Sequence, residues 1–224
     1  MTLCVQATEI PTSARADRSI AEVEDRLKLE LSEIGLSYGA PIFIRIFKQP
    51  RILELWIESE NGTFRKFKNY EICSYSGSLG PKLVEGDNQS PEGFYFVNPA
   101  RLNPWSQYHL SLNLGFPNQY DRHHGRSGSY LMIHGKCVSI GCYAMTDPSI
   151  KEIYALAVAA LQSGQHFFRI HAFPFKLEEH KLAEYSSNPW YSYWVNLKEG
   201  YDYFNIHKKP PNVEVDGGLY TFGE

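Results

Sequence analysis

Between His134 and Met145 the chain reads HGKCVSIGCYAM, the densest run of reactive groups in its 224 residues. Cys142 follows Gly141 and stands eight positions after His134. A cysteine is nucleophilic as thiolate, and a nearby imidazole supplies that state by taking the proton or by stabilising the charge. Gly141 lets the backbone approach a substrate closely, and local N–H groups can then face a developing oxyanion. Two rival readings fit the same residues. Cys142 could be a buried structural thiol, since cysteine is among the most often buried residue types. Alternatively His134, Cys137 and Cys142 could bind a metal with a fourth ligand from His123, His124 or Asp121, although the spacing matches no common zinc pattern.

The elements around this run decide what it can do. Upstream, SYLMIHG reads as a strand ending at His134. Downstream, Asp147 as cap, Pro148 in the first turn and Ile150, Ile153, Tyr154, Ala157, Val158 and Leu161 on one face, with Gly164 after them, predict a helix. Cys142 would thus sit in a strand-to-helix turn. Earlier, Ile20, Val23, Leu27, Leu31 and Ile34 recur at helical spacing between Asp17 and Gly35. From Pro41 the period changes to two: PIFIRIFK and RILELWIE flank a Gln49–Pro50 turn and predict a hairpin. FRKFKNYEICSY, EGFYFV, YHLSLNLGF and HFFRIHAFPF add strands, with turn-rich loops such as FPNQYDRHHGRSG between them. The class is mainly β with flanking helices, α+β. The expected organisation is a tether over 1–18, a catalytic domain over 19–175 that includes the first helix, and an aromatic-rich appendix over 176–224 folded against it.

Composition sets outer limits. With 43% hydrophobic residues the chain can bury a sizeable core, and 22 basic against 25 acidic residues give a net charge of −3 without a basic block, which argues against nucleic acid as partner. No apolar run approaches the roughly 20 residues of a membrane span. Met1–Ala7 resemble the end of a secretory signal whose charged start is missing, and an unstructured N-terminus fits as well. Four cysteines are too few for a disulfide scaffold.

The string SIGCYAM, preceded by LMIHG and by the distant GDNQSPEGFY, resembles the L,D-transpeptidase catalytic domain, or YkuD, family. The family carries a His-Gly, then a Ser-x-Gly-Cys, with a Thr/Ser-Pro-x-Gly-x-Phe/Tyr loop upstream. The resemblance covers roughly 40–175 and implies a β-sandwich with Cys142 as nucleophile, His134 as base, Gly135 beside it, and Ser139 and Gly141 in the cysteine motif. Ser90, Pro91, Gly93 and Phe94 match the upstream loop. It further implies periplasmic work on peptidoglycan stem peptides that contain diaminopimelate, without cofactor or metal. Substrate contacts are expected from Tyr143, Ser90, Tyr130, Arg122 and Tyr75, with Ser76, Lys82, Asp87 and Glu92 nearby.

Three departures carry information. The family's His inside Ser-His-Gly-Cys is Ile140, its Arg or Asn two places after the cysteine is Ala144, and the interval from His134 to Cys142 is unusually short. Loss of the arginine removes a guanidinium fork for a substrate carboxylate, so recognition should differ. With YEICSYSGSLGPK and the Lys-Pro-Pro tail, these departures resemble a narrower enterobacterial branch implicated in detaching the outer-membrane lipoprotein from peptidoglycan. In an oxidising compartment Cys73 and Cys137 would either pair with each other or be buried as inert thiols. Their apolar, strand-like surroundings make burial the expectation.

Overall fold

A computed structural model describes residues 9–223; Cys4 and the signal-like Met1–Ala7 lie outside them. The first helix, α1 (Ala14–Glu33), begins inside the segment read as a tether. Its cap is Ser13, whose hydroxyl accepts the Ala16 N–H, and Asp17 falls in the first turn instead. A polar stretch hid this start because the cap and the first turn bury little beyond Ala16.

Strands β1 (Ile42–Phe47) and β2 (Ile52–Glu58) form the expected hairpin, and β3 (Phe64–Glu71) pairs with β2. With β5 (Gly93–Val97) and β10 (Phe168–Phe173) they make a five-stranded sheet, ordered β3-β2-β1-β10-β5, in which only β1 and β10 run parallel. A second sheet, ordered β4-β9-β8-β7-β6, contains short strands: β4 (Ser74–Tyr75), β6 (Leu102–Asn103), β7 (Ser111–Asn113), β8 (Met132–His134) and β9 (Tyr143–Ala144). The main core draws Ile42, Ile44 and Ile46 from the large sheet, Leu112, Ile133 and Tyr143 from the small one, and the apolar faces of α1 and α3 (Asp147–Gln162). Alternation along β1 sends Phe43 and Phe47 into two smaller clusters on the other side of the sheet.

That other side explains the tail. After α4 (Glu179–Ala183), the helix α5 (Tyr191–His207) and the hairpin β11 (Asn212–Asp216)–β12 (Leu219–Gly223) cover it, burying Trp194, Leu197, Tyr201, Phe204 and Tyr220. The architecture is mixed α+β, with more helix than period-two patterning suggested.

The tail also reaches the site. Glu92, in the loop ahead of β5, is fully buried: its carboxylate pairs with Lys48 at 3.0 Å and accepts the Trp194 indole N–H at 2.9 Å, while its carbonyl accepts the Tyr193 hydroxyl at 2.6 Å. Glu92 is therefore a bolt between α5 and the Ser90 loop, and the expectation that it meets substrate gives way to burial. A paired, hydrogen-bonded carboxylate is costly to free from such a setting.

Candidate active site

Strands β8 and β9 run parallel and adjacent, pairing Ile133 with Tyr143 and His134 with Ala144, so Cys142, just ahead of β9, lies beside β8 and shares a cavity wall with His134 although eight positions separate them. The connecting turn is tied at several points. The Met145 N–H donates to the His134 carbonyl at 2.6 Å and the Lys136 N–H to Asp147 Oδ1 at 2.8 Å. Asp147 thus anchors the turn, and the cap of α3 is Thr146, whose hydroxyl accepts the Ser149 N–H. Gly135 has no room for a side chain: a Cβ there would lie 2.5 Å from Asp147 Oδ1. Gly141 has φ +148, a region open mainly to glycine.

Cys137 is bonded to Cys73, just before β4, with Cα atoms 5.3 Å apart. The disulfide overturns the expected burial of two free thiols. Apolar neighbours along the sequence do not report depth here, because Cys137 itself is exposed on the turn. The bond also removes Cys137 from any metal-ligand set that includes His134 and Cys142.

Hydroxyls fix the backbone of the cysteine. Ser139 Oγ donates to the Cys142 carbonyl at 2.7 Å and Ser90 Oγ donates to the same oxygen at 3.1 Å. Ser90 is fully buried, receives the Ser76 N–H and returns its own N–H to the Ser76 carbonyl. The two motifs that sequence separates by some fifty positions therefore converge on one carbonyl. Ser90 and Ser139 position the cysteine.

His134 is 2% exposed, and its Nδ1 lies 2.6 Å from the Gly135 carbonyl. A carbonyl only accepts, so Nδ1 carries the proton and Nε2 keeps the lone pair. Burial lowers the imidazole's proton affinity, partly offset by that hydrogen bond, while the Tyr108 ring lies over it at 4.6 Å. Burial pushes the Cys142 thiol upward, against a Met132 backbone hydrogen bond and the Lys82 charge. The thiol donates to the Tyr130 carbonyl at 3.7 Å. Both directions favour a neutral thiol beside a neutral imidazole at rest, with the proton moving only as a bond forms.

One cavity of about 410 Å³ is lined by Cys142, His134, Ser139, Gly141, Tyr130 and Lys82, together with Tyr108, Asn88, Val138 and Ile140. Ile140, which replaces the family's histidine, is 81% exposed and forms part of the rim. Lys82 Nζ is shared with Asp87 Oδ1 at 2.5 Å and the Val84 carbonyl at 2.9 Å. Tyr108 escaped sequence reasoning: it lies in a turn before β7, and only the β7–β8 pairing carries it to His134.

The other expected contacts are dispersed. Tyr143 is fully buried and its hydroxyl donates to the Pro91 carbonyl at 2.7 Å, so it supports the loop and cannot touch substrate. Tyr75 sits on β4 with the Arg51 guanidinium over its ring and is not part of the cavity wall. Asp121 is buried in a pair with Arg126 at 2.9 Å. Arg122 faces a different cavity altogether, because the chain folds into α2 (Gln119–His123) within a stretch that reads as loop.

The family model described as the L,D-transpeptidase catalytic domain, YkuD, matches residues 44–162. YafK, a provisionally named L,D-transpeptidase of Escherichia coli (strain K12), is 46% identical over 183 residues, 82% of this chain and 74% of YafK; its counterpart in strain O157:H7 gives the same figures. Among solved structures, a mutant of the helical cell shape determining protein Pgp2 from Campylobacter jejuni has a TM-score of 0.50 at 21% identity. That alignment spans 81% of this chain and 63% of the Pgp2 chain, a likeness of fold.

Proposed function

The chain belongs to the L,D-transpeptidase catalytic-domain family, and from that premise we propose that it hydrolyses the amide joining diaminopimelate of peptidoglycan to the lysine of a tethered outer-membrane lipoprotein. The observation that carries this reading is that Cys142, His134 and Lys82 meet on the wall of one cavity. His134 Nε2 takes the thiol proton as Cys142 Sγ attacks the diaminopimelate carbonyl carbon, and the carbonyl pair moves onto oxygen. When that pair returns, the C–N bond breaks and His134 passes its proton to the departing lysine nitrogen. Water then gives a proton to His134 and attacks the thioester, releasing a carboxylic acid and restoring the thiol.

Ser139, Ser90 and the disulfide hold Cys142 in line for attack, a positioning effect with large leverage on rate. Lys82, already paired with Asp87, is the cation on the cavity wall, a point charge rather than the fork that the family's arginine would provide at Ala144. The disulfide suits an oxidising compartment, in keeping with export to the periplasm. The preference for water over an amine acceptor rests on the resemblance to the lipoprotein-releasing branch.

Transpeptidation is the second reading, favoured by the name that YafK bears and sharing the first half-reaction. Mass spectrometry of products from sacculi carrying the lipoprotein separates the two. Free lipoprotein with its tethering lysine unmodified, absent with Cys142→Ala, is the expected result. New cross-links between two diaminopimelate residues, with the lipoprotein still attached, would make the chain a transpeptidase instead.

A further inference from the structure

A second cavity, of about 510 Å³, opens where β5, the edge of the large sheet, meets β10, α2 and β11. Three guanidiniums line it: Arg101 from the short 3-10 turn after β5, Arg122 from α2 and Arg169 from β10. Each is held by a neutral oxygen. Arg101 Nη1 donates to the Phe96 carbonyl, Arg122 Nη1 to the Pro117 carbonyl and Arg169 Nη2 to Asn212 Oδ1, at 2.5, 2.5 and 2.6 Å. Among the described residues the arginines in ion pairs are Arg26, Arg45 and Arg126, all elsewhere. Among the described residues the acid on this wall is Glu214, exposed on β11.

The arrangement is built rather than incidental. The Arg101 guanidinium stacks on the Phe96 ring at 4.0 Å and passes over Gly115, where a Cβ would come within 2.2 Å of it. The Arg169 guanidinium stacks on Phe167 at 5.1 Å. Burial and the neighbouring Arg122 charge hold Arg101 below its ordinary value, and burial does the same to Arg169. His171, 1% exposed, also lines the cavity, and neither ring nitrogen has a hydrogen-bond partner. Gathering three like charges around partly dry space costs free energy unless an anion offsets it. A guanidinium carries five N–H donors in a planar fork, so most of these donors remain for such an anion.

We infer that this cavity is a second binding site, separate from the thiol cavity, for a ligand of small-molecule size bearing carboxylate or phosphate oxygens. Its volume lies in the range of roughly 300–1,000 Å³ that such ligands occupy, and the aromatic walls of Phe94, Phe96 and Tyr120 suit a ligand with an apolar portion. The inference does not depend on what Cys142 does.

Titration of the isotope-labelled, full-length protein with inorganic phosphate, with citrate and with a soluble diaminopimelate muropeptide tests it by NMR. At least one probe should shift the Gly115 amide and the Nε–H signals of Arg101, Arg122 and Arg169 in both wild type and Cys142→Ala. Arg122→Gln, an exposed position that the fold does not need, should weaken that probe about tenfold, the order expected for loss of one charge-assisted contact. A response to the muropeptide identifies a wall-derived source, and a response to phosphate or citrate alone identifies a free anion. Silence from all three probes up to about 10 mM, weaker than any affinity that would matter at millimolar ligand, overturns the inference. Shifts confined to Ser139, Gly141 and Cys142 overturn it too.

Discussion

His134 and His171 are buried to nearly the same depth, yet their surroundings treat them differently. His134 has a carbonyl that fixes its tautomer, a tyrosine ring above it and a thiol on the same cavity wall. His171 stands between the edges of Phe43 and Phe94, both at 4.6 Å, with neither nitrogen engaged. Burial lowers the proton affinity of both, reinforced at His171 by the Arg169 and Arg45 charges and opposed at His134 by the Gly135 carbonyl. Chemistry needs the further step of orientation, which one backbone hydrogen bond provides for His134 and nothing among the described residues provides for His171. The comparison teaches that a perturbed titration is a property of burial, and a base is a perturbed group with its lone pair aimed.

The strongest test of that contrast is removal of the thiol. Cys142→Ala should leave the thermal melt unchanged and lower turnover by about a thousandfold or more, since no other group can form the thioester. Turnover within a factor of about ten of wild type would falsify the assignment of the nucleophile.

Next in size is the base. His134→Gln should cost about 10²–10⁴-fold in turnover, the usual range for a general base. Because the resting pair is neutral, alkylation of Cys142 against pH should give nearly the same midpoint in wild type and His134→Gln, above that of an ordinary thiol. This sharpens the sequence-based picture, in which an imidazolium could hold a preformed thiolate. A midpoint that rises on losing His134 would restore the ion pair.

The disulfide comes third. Replacing Cys73 and Cys137 together with serine should lower stability by about 2–4 kcal/mol, because the bridge closes a loop across 64 positions. Thiol counting in the unfolded, non-reduced chain should find two of the four cysteines protected. Four titratable thiols would show that the turn is held without the bridge.

The smallest effect concerns His171 itself. Its folded-state affinity for protons lies well below the unfolded value near 6.5. The unfolded chain therefore binds more protons as pH falls below that value, and stability is present above it and lost beneath it. Chemical denaturation at pH 7 and at pH 5 should show a decline that is smaller in His171→Phe than in wild type. An identical decline in both would place the acid sensitivity elsewhere, with His134 the next group to test.

Sequence by itself determined a good deal. The β1–β2 hairpin and α3 were legible because strong periodicity survives without knowledge of neighbours, and the reactive run from His134 to Cys142 was legible because its residue types are chemically rare in that order. The Ser90 loop was legible only through resemblance, since nothing in its own composition says that its hydroxyl reaches the Cys142 carbonyl. The starts of α1 and α3 are less legible, because Asp17 and Asp147 read as caps while Ser13 and Thr146 make the hydrogen bonds. The tail reads as an appendix because its apolar residues follow no single period, and their partners lie on the far face of a sheet whose strands range from β1 to β10.

What the tertiary structure alone decided is which groups face which space. Tyr143 and Arg122 are adjacent to site elements along the chain, yet one is sealed in the core and the other looks into the arginine-lined cavity. Tyr108 and Lys82 enter the thiol cavity from distant segments, and Cys73 finds Cys137 across 64 positions. Side-chain type and local period follow from neighbours along the backbone, and so can be read in one dimension. Facing and pairing are set by how strands register and sheets stack, interactions between remote segments that a linear reading does not contain.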